Sequence, residues 1–377
     1  MIIRYEPTGS VEGFTALSEE MARDDNVNGL LVLACDNNGF SPDVVDDILN
    51  TISVPVFGGI FPAIIYGRQK LDKGTIIVGL NPKPSVFALP NLSDMDIDYD
   101  EAIQQLVPHK GAARTVFIFV DGYSKRIMPM IDSLYTIFGI GLNYIGGGAG
   151  SINPEALDMQ HTPCLITNGG LIKDAAVLAF VEMDTGVGAG HGWHKISGPY
   201  KVTESDGNLI KTLDLRPAIE VYREIILQHS GKHIMADNFF DIAKHYPFGI
   251  SRLDSEVVVR DPYTMEGDHL VVATPIPNES FIDILSGDPD SLVDAARRSF
   301  NAGRQTYPGS KPECVFMIDC ISRVLYLDDD FDKEIAAVSE DSLPLIGILS
   351  MGEIANTGKD YMEFYNKTCV VGILGEQ

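Results

Sequence analysis

Apolar residues in this chain gather in short, nearly unbroken runs set between stretches of helical spacing, and one order of elements recurs three times. The first round opens with Gly29-Leu-Leu-Val-Leu-Ala-Cys35, a run short enough for a strand buried on both faces. Val44, Val45, Ile48 and Leu49 then share one face of a predicted helix over 42–51. Val54-Pro-Val-Phe-Gly-Gly59 ends in paired glycines, and Thr75-Ile-Ile-Val-Gly-Leu80 closes the round. The second round has Thr115-Val-Phe-Ile-Phe-Val-Asp121, a helix over 127–138, Asn143-Tyr-Ile-Gly-Gly-Gly-Ala-Gly150 and Ala175-Ala-Val-Leu-Ala-Phe-Val181. The third has Cys314-Val-Phe-Met-Ile-Asp-Cys320, a helix over 332–340, Leu345-Ile-Gly347 leading to Gly352-Glu353, and Thr368-Cys-Val-Val-Gly-Ile-Leu374. From first strand to first glycine the spans are 29, 31 and 33 residues, ending at Gly58, Gly146 and Gly347. Three related strand–helix–strand–glycine–strand units account for this order; the competing reading is the plain alternation of any α/β protein. Glycines after a strand end allow positive φ, or close approach of another strand or a ligand.

A different region lies between the second and third rounds. Asp184-Thr-Gly-Val-Gly-Ala-Gly-His-Gly-Trp193 places glycine at every second position from 186 to 192. If extended, one face carries only glycine hydrogens, and the other carries Val187, Ala189, His191 and Trp193. Residues 202–210 read as a hairpin turning at Asp206-Gly207. Pro217 starts a helix whose stripe is Ala218, Val221, Tyr222, Ile225 and Ile226, stopped by Ser230-Gly231. A further helix is expected over 288–304. The expected fold is α/β, with mixed β-sheets layered with helices, in two domains over 1–215 and 216–377.

Composition narrows the function. A formal net charge of −25 argues against a phosphate-backbone partner and an anionic membrane surface. Cys35, Cys164, Cys314, Cys320 and Cys369 are scattered, with no C-x-x-C pair for a disulfide framework or zinc knuckle. No apolar stretch is long enough to span a membrane, and the N-terminus lacks a secretory pattern, so a reducing, cytoplasmic setting is expected. Asp94-x-Asp96-x-Asp98 mimics a calcium loop but has Tyr99 and Gln105 where Gly and Glu are needed. Walker, dinucleotide-binding and common hydrolase signatures are absent.

Several ordered motifs resemble the FIST family, with its paired N-terminal and C-terminal domains. On the N-terminal side they are Gly58-Gly59, Ile145-Gly-Gly-Gly-Ala-Gly150, Gly192-Trp193, Val202-Thr203, Leu213-Asp214 and Pro217-Ala218. On the C-terminal side, Cys320-Ile-Ser-Arg323 is similar to the family's Cys-x-x-Arg. Gly347 with Gly352-Glu353 is similar to its Gly…Gly-Glu, and Asn366-x-Thr368 to its closing Asn-x-Thr. Ser322 departs from the glycine common there. The resemblance implies intracellular sensing of a small ligand. With no kinase, methyl-accepting or F-box segment, the chain is expected to signal through a separate partner such as a histidine kinase, or not to signal at all. Some relatives resemble haem proteins that respond to nitric oxide, although no ligating histidine carries over to a position here.

Arg323 and Glu353 form the leading candidate site. A guanidinium can clasp a carboxylate bidentately while a nearby Glu binds an ammonium or orients the Arg, which suits an amino acid or similar small polar metabolite. A structural Arg–Glu pair is the competing reading. Asn366 and Cys320 can complete the pocket, with Gly58, Gly59, Gly146, Gly147, Gly347 and Gly352 allowing close approach. His191 and Trp193 over a glycine floor offer a place for a flat ligand, with His191 the first choice if haem binds; the favoured reading is a closely packed sheet with Trp193 in the core and His191 satisfied within it. A third reading is an enzyme using Cys320, Arg323 and Glu353, for which no base stands beside the thiol in sequence.

Overall fold

The computed structural model describes residues 1–152, 162–251, 256–356 and 361–376. Three of its sheets have six strands each and share one plan. A lead strand (Ile2–Glu6, Ser85–Pro90 or Asp184–Gly190) pairs antiparallel with a closing strand (Thr75–Leu80, Ala175–Val181 or Cys369–Gly375). The closing strand pairs antiparallel with an opening strand (Gly29–Cys35, Thr115–Asp121 or Cys314–Cys320). The opening strand pairs parallel with a glycine strand (Val56–Phe61, Asn143–Ala149 or Leu345–Ser350). The three rounds of the sequence are therefore three copies of one structural unit.

The sixfold strand count is completed by exchange. After its glycine strand, each unit sends a hairpin into the sheet of another unit. The first unit's Ala63–Tyr66 and Gln69–Leu71 join the third sheet. The second unit's Leu165–Thr167 and Gly170–Ile172 join the first. The third unit's Glu353–Ala355 and Glu363–Tyr365 join the second. Register confirms the equivalence: Gly58, Gly146 and Gly347 lie opposite Val32, Ile118 and Met317 on one side and Ile166, Ile354 and Ile65 on the other. A Cβ on Gly58 or Gly146 would lie 1.8 or 1.7 Å from the neighbouring strand's carbonyl oxygen. These glycines accommodate backbone, not a ligand. The rings of Phe57, Phe117 and Phe316, with centroids 5.6 and 6.2 Å apart in sequence, lie in the core that the units share.

The glycine face of Asp184–Gly190 is likewise a seat for backbone. Helix Pro289–Thr306, started by a capping box between Asp288 and Ser291, lies directly on it. A Cβ on Gly186 would sit 2.1 Å from Gly303 O, and one on Gly188 would sit 2.0 Å from Ser299 O. The helix expected over 332–340 runs Phe331–Ala337, because the Ser339 hydroxyl and the Val338 N–H both turn back onto the last turn. Sequence periodicity did not show the short helix Ile321–Leu327, which carries Arg323.

Residues between the lead strand and the helix of the third unit build an eight-stranded fourth sheet. In it, His194–Asp206 pairs with Leu209–Leu213 and with Phe281–Ser286. Leu209–Leu213 pairs in turn with His269–Val272. The position 215/216 thus falls between strands of one sheet, and the chain on either side of it is interleaved. No helix among the described residues is long and apolar enough to cross a membrane.

Gly188→Ala is expected to cost about 1–3 kcal/mol or more, because the added methyl meets helix backbone and cannot be accommodated by a rotamer change. Gly141→Ala, with only the Lys110 ammonium within reach of the new methyl, should be near neutral. Denaturant melts of the two variants check the contrast.

Candidate functional site

The third unit breaks the pattern of the other two. At the sixth position of the opening strand the first two units carry Ala34 and Val120, opposite Thr75 and Ala176; the third carries Asp319 opposite Cys369. One turn later, Arg323 folds back so that its Nε lies 3.1 Å from Asp319 Oδ1. Glu334, on helix Phe331–Ala337, accepts from both Nε and Nη2 of the same guanidinium. Nη1 donates to the carbonyls of His191 (2.6 Å) and Lys367 (3.2 Å), and Nη2 donates to that of Leu292 (3.1 Å). Arg323, Asp319 and Glu334 are fully buried.

This arrangement corrects the expected clasp. Arg323 is not ion-paired with Glu353, and its donor fork is occupied by two carboxylates and three carbonyls of the protein itself. It ties the third unit's strand end to the glycine-rich lead strand and to the helix that lies on it. A ligand carboxylate would have to displace one of these partners.

Glu353 is a second break in the pattern. It opens the exchanged hairpin opposite Gly147, where the equivalent hairpin positions hold Leu165 opposite Gly59 and Ile64 opposite Ile348. The Ser350 hydroxyl donates to its Oε1 at 2.7 Å and the Thr368 N–H to its Oε2 at 3.3 Å. Burial pushes its carboxyl up to about 8, against the opposing pull of the Ser350, Thr368 and Cys320 hydrogen bonds. Burial, then the Glu334 charge, raises Asp319 well above the usual carboxylate range, and burial raises Glu334. The Cys320 thiol stands beside Glu353, and burial raises it too, so it is not an activated thiolate. Asn366 is nearly buried; its amide nitrogen donates to Tyr365 O at 3.0 Å, while its Oδ1 meets no donor. Gly352, at φ +104°, makes the turn into Glu353 under the Phe364 ring, where a side chain would collide. Gly347 lets the Met317 carbonyl approach, and the Gly147 site closes against Ser350 and the Gly352 carbonyl.

The surroundings of His191 do not fit a haem ligand. Its ring is buried, Nδ1 accepts the Trp193 N–H at 2.9 Å, and Nε2 faces Glu256 at 3.4 Å. Burial, reinforced by the Arg323 charge, lowers its pKa to about 3, so it is neutral. The glycine floor beside it is covered by the 289–306 helix. Trp193 is core, with its indole N–H on Lys367 O at 3.3 Å.

Sequence reading passed over Asp319, Glu334, Ser350, Lys367 and Cys369. Asp319 did leave a signal, as a lone acid inside an otherwise apolar strand run. Lys367 left none: it is fully buried, held by Lys244 O at 3.0 Å, Asp261 at 3.3 Å and the Trp193 ring at 5.3 Å.

Comparison with known families bears on what these residues serve. A family model of the FIST N domain matches residues 29–216, and one of the FIST C domain matches residues 218–356. No curated protein matches the chain.

Two outcomes follow for stability. Arg323→Leu is expected to cost about 3–5 kcal/mol by leaving Asp319 and Glu334 buried without their counter-charge, read as lost soluble protein or a lowered denaturation midpoint. Glu353 holds its proton more tightly folded than unfolded, so its contribution is complete below pH ~4.5 and is lost as pH rises towards 8. Wild-type stability should therefore fall over that window by up to about 1.4 kcal/mol per pH unit more than that of Glu353→Gln. Urea melts from pH 5 to 8.5 measure the difference, and parallel curves would sink the assignment.

Proposed function

The chain belongs to the FIST family, and we propose that it is a sensory module for a small ligand bearing an ammonium group, an amino acid or similar polar metabolite, received by Glu353 and Asn366 beside Cys320. FIST domains are generally taken as small-ligand-binding sensory domains. The observation that carries the finer reading is Glu353 itself. It is the one hairpin start of three that is not aliphatic, and Asn366, which follows its register partner Tyr365 in the chain, has an amide oxygen without a donor. Both groups are acceptors when Glu353 is ionised, so the matching ligand group is a donor-rich cation. Arg323 then acts by holding the carbonyls of His191 and Lys367, which positions the segment leading to Thr368 and hence one of the Glu353 hydrogen bonds. The output passes to a separate partner, for which a histidine kinase is one candidate.

Binding an ammonium requires the ionised carboxylate, so it releases the Glu353 proton, and affinity should rise about tenfold per unit between pH 6 and 8 before levelling. Calorimetric titration of the protein with the common amino acids, their decarboxylated amines and their deaminated acids tests this. Amines and amino acids should bind and acids should not, and Glu353→Gln should weaken binding by about 10–100-fold. Binding by the deaminated acids, or undiminished affinity in Glu353→Gln, would overturn the assignment.

A further inference from the structure

Asp319 and Cys369 are register partners across antiparallel strands, and helix Phe331–Ala337 lays Glu334 over them. One ligand atom of each, a carboxylate oxygen from either acid and Cys369 Sγ, lie within 4.8 Å of one another, and all three residues are buried. Arg323 uses Asp319 Oδ1 and Glu334 Oε1; Glu334 Oε2 reaches no hydrogen-bond donor, and apart from Arg323 the Asp319 carboxylate has only the Cys320 backbone N–H beside it. Fully buried acceptors without partners are costly, and a structure retains them where something else satisfies them. The fold does not demand them, because the equivalent pairs in the other units are Ala34 with Thr75 and Val120 with Ala176.

We propose that Asp319, Glu334 and Cys369 bind a divalent transition-metal cation of the zinc class. Charge supports this reading. Two carboxylates and a thiolate beside one guanidinium leave a net charge that a divalent cation cancels. Without the metal, neutrality requires a proton on the thiol and one on a carboxyl group. Binding therefore forms metal–sulfur and metal–oxygen bonds and releases those two protons to solvent. The sulfur donor selects zinc, cobalt or a similar ion over magnesium and calcium, which take oxygen ligands. Arg323 serves the site by fixing the orientation of both carboxylates through their other oxygens. Because the site is fully buried, the cation enters as the third unit folds. Arg323 supports both sites, but the ligands Asp319, Glu334 and Cys369 are not assigned to the amino acid site, so a test on Cys369 and Glu334 is separate from one on Glu353.

The test uses the full chain expressed in cobalt-supplemented minimal medium and purified without chelator or added small molecule. Cobalt serves as the probe because its thiolate complexes absorb in the near ultraviolet. The expected result is stoichiometric cobalt, a thiolate-to-cobalt charge-transfer band, and loss of that band on exchange with zinc. Cys369→Ser should abolish the band while keeping a cooperative melt, and Glu334→Gln should weaken cobalt retention about tenfold or more. If Glu334→Gln fails to fold, Cys369→Ser alone decides, since it changes a single atom. Cobalt-free wild-type protein, or a band that survives in Cys369→Ser, would overturn the proposal.

Discussion

Backbone pairing in a dry interior is the constraint on which this architecture rests. Each glycine strand is buried apart from the half-buried Asn143, and needs a partner on both edges, because an unpaired N–H or C=O there has no water to replace it. The opening strand of the same unit supplies one edge. The other is supplied only by a hairpin from another unit, passed around in a closed cycle. No unit is complete by itself, and the three fold as one body around a shared core. The glycines opposite Val32, Ile118 and Met317 are part of the same constraint, since they let carbonyls approach where any side chain would collide.

Near-equivalence of the units makes their differences informative. Where a position is apolar in two copies, packing alone explains it. Where the third copy carries Asp319, Cys369 or Glu353, the fold is carrying a cost that burial of ionisable groups entails. Arg323 offsets part of that cost. It is the only described cation that touches Asp319 and Glu334 in ion pairs, and it also caps three carbonyls from separate segments. Among the described residues, Asp319, Arg323, Glu334 and Glu353 all belong to the third unit and are all buried.

The same unit is also where the fourth sheet meets the core. Lys367, between the hairpin and the closing strand, reaches Asp261 and Lys244 O of the inserted region, and Arg260 of that region pairs with Glu363 of the hairpin. The hairpin that presents Glu353 is thus bonded both to the second sheet and to the insertion.

How far the sequence reached can be judged from particular residues. The three rounds, their glycines, the bare face of Asp184–Gly190 and the capped helix after Asp288 were all legible, because strand burial, close approach and capping each leave a local pattern. The motifs group Cys320, Arg323, Glu353 and Asn366 in one region but do not give their partners. The motifs allow Arg323 either to clasp a ligand or to form a structural ion pair; its donors go to His191, Leu292, Asp319, Glu334 and Lys367, which lie on segments far apart in the chain. Haem at His191 failed for the same reason: a helix from residues 289–306 fills the floor that the sequence left open. Local pattern determined which segments are strands and where backbone needed room. Only the tertiary structure decided what occupied that room and which charge met which, because hydrogen-bond partners across exchanged strands are set by register and distance, and neither is written in the spacing of residues along the chain.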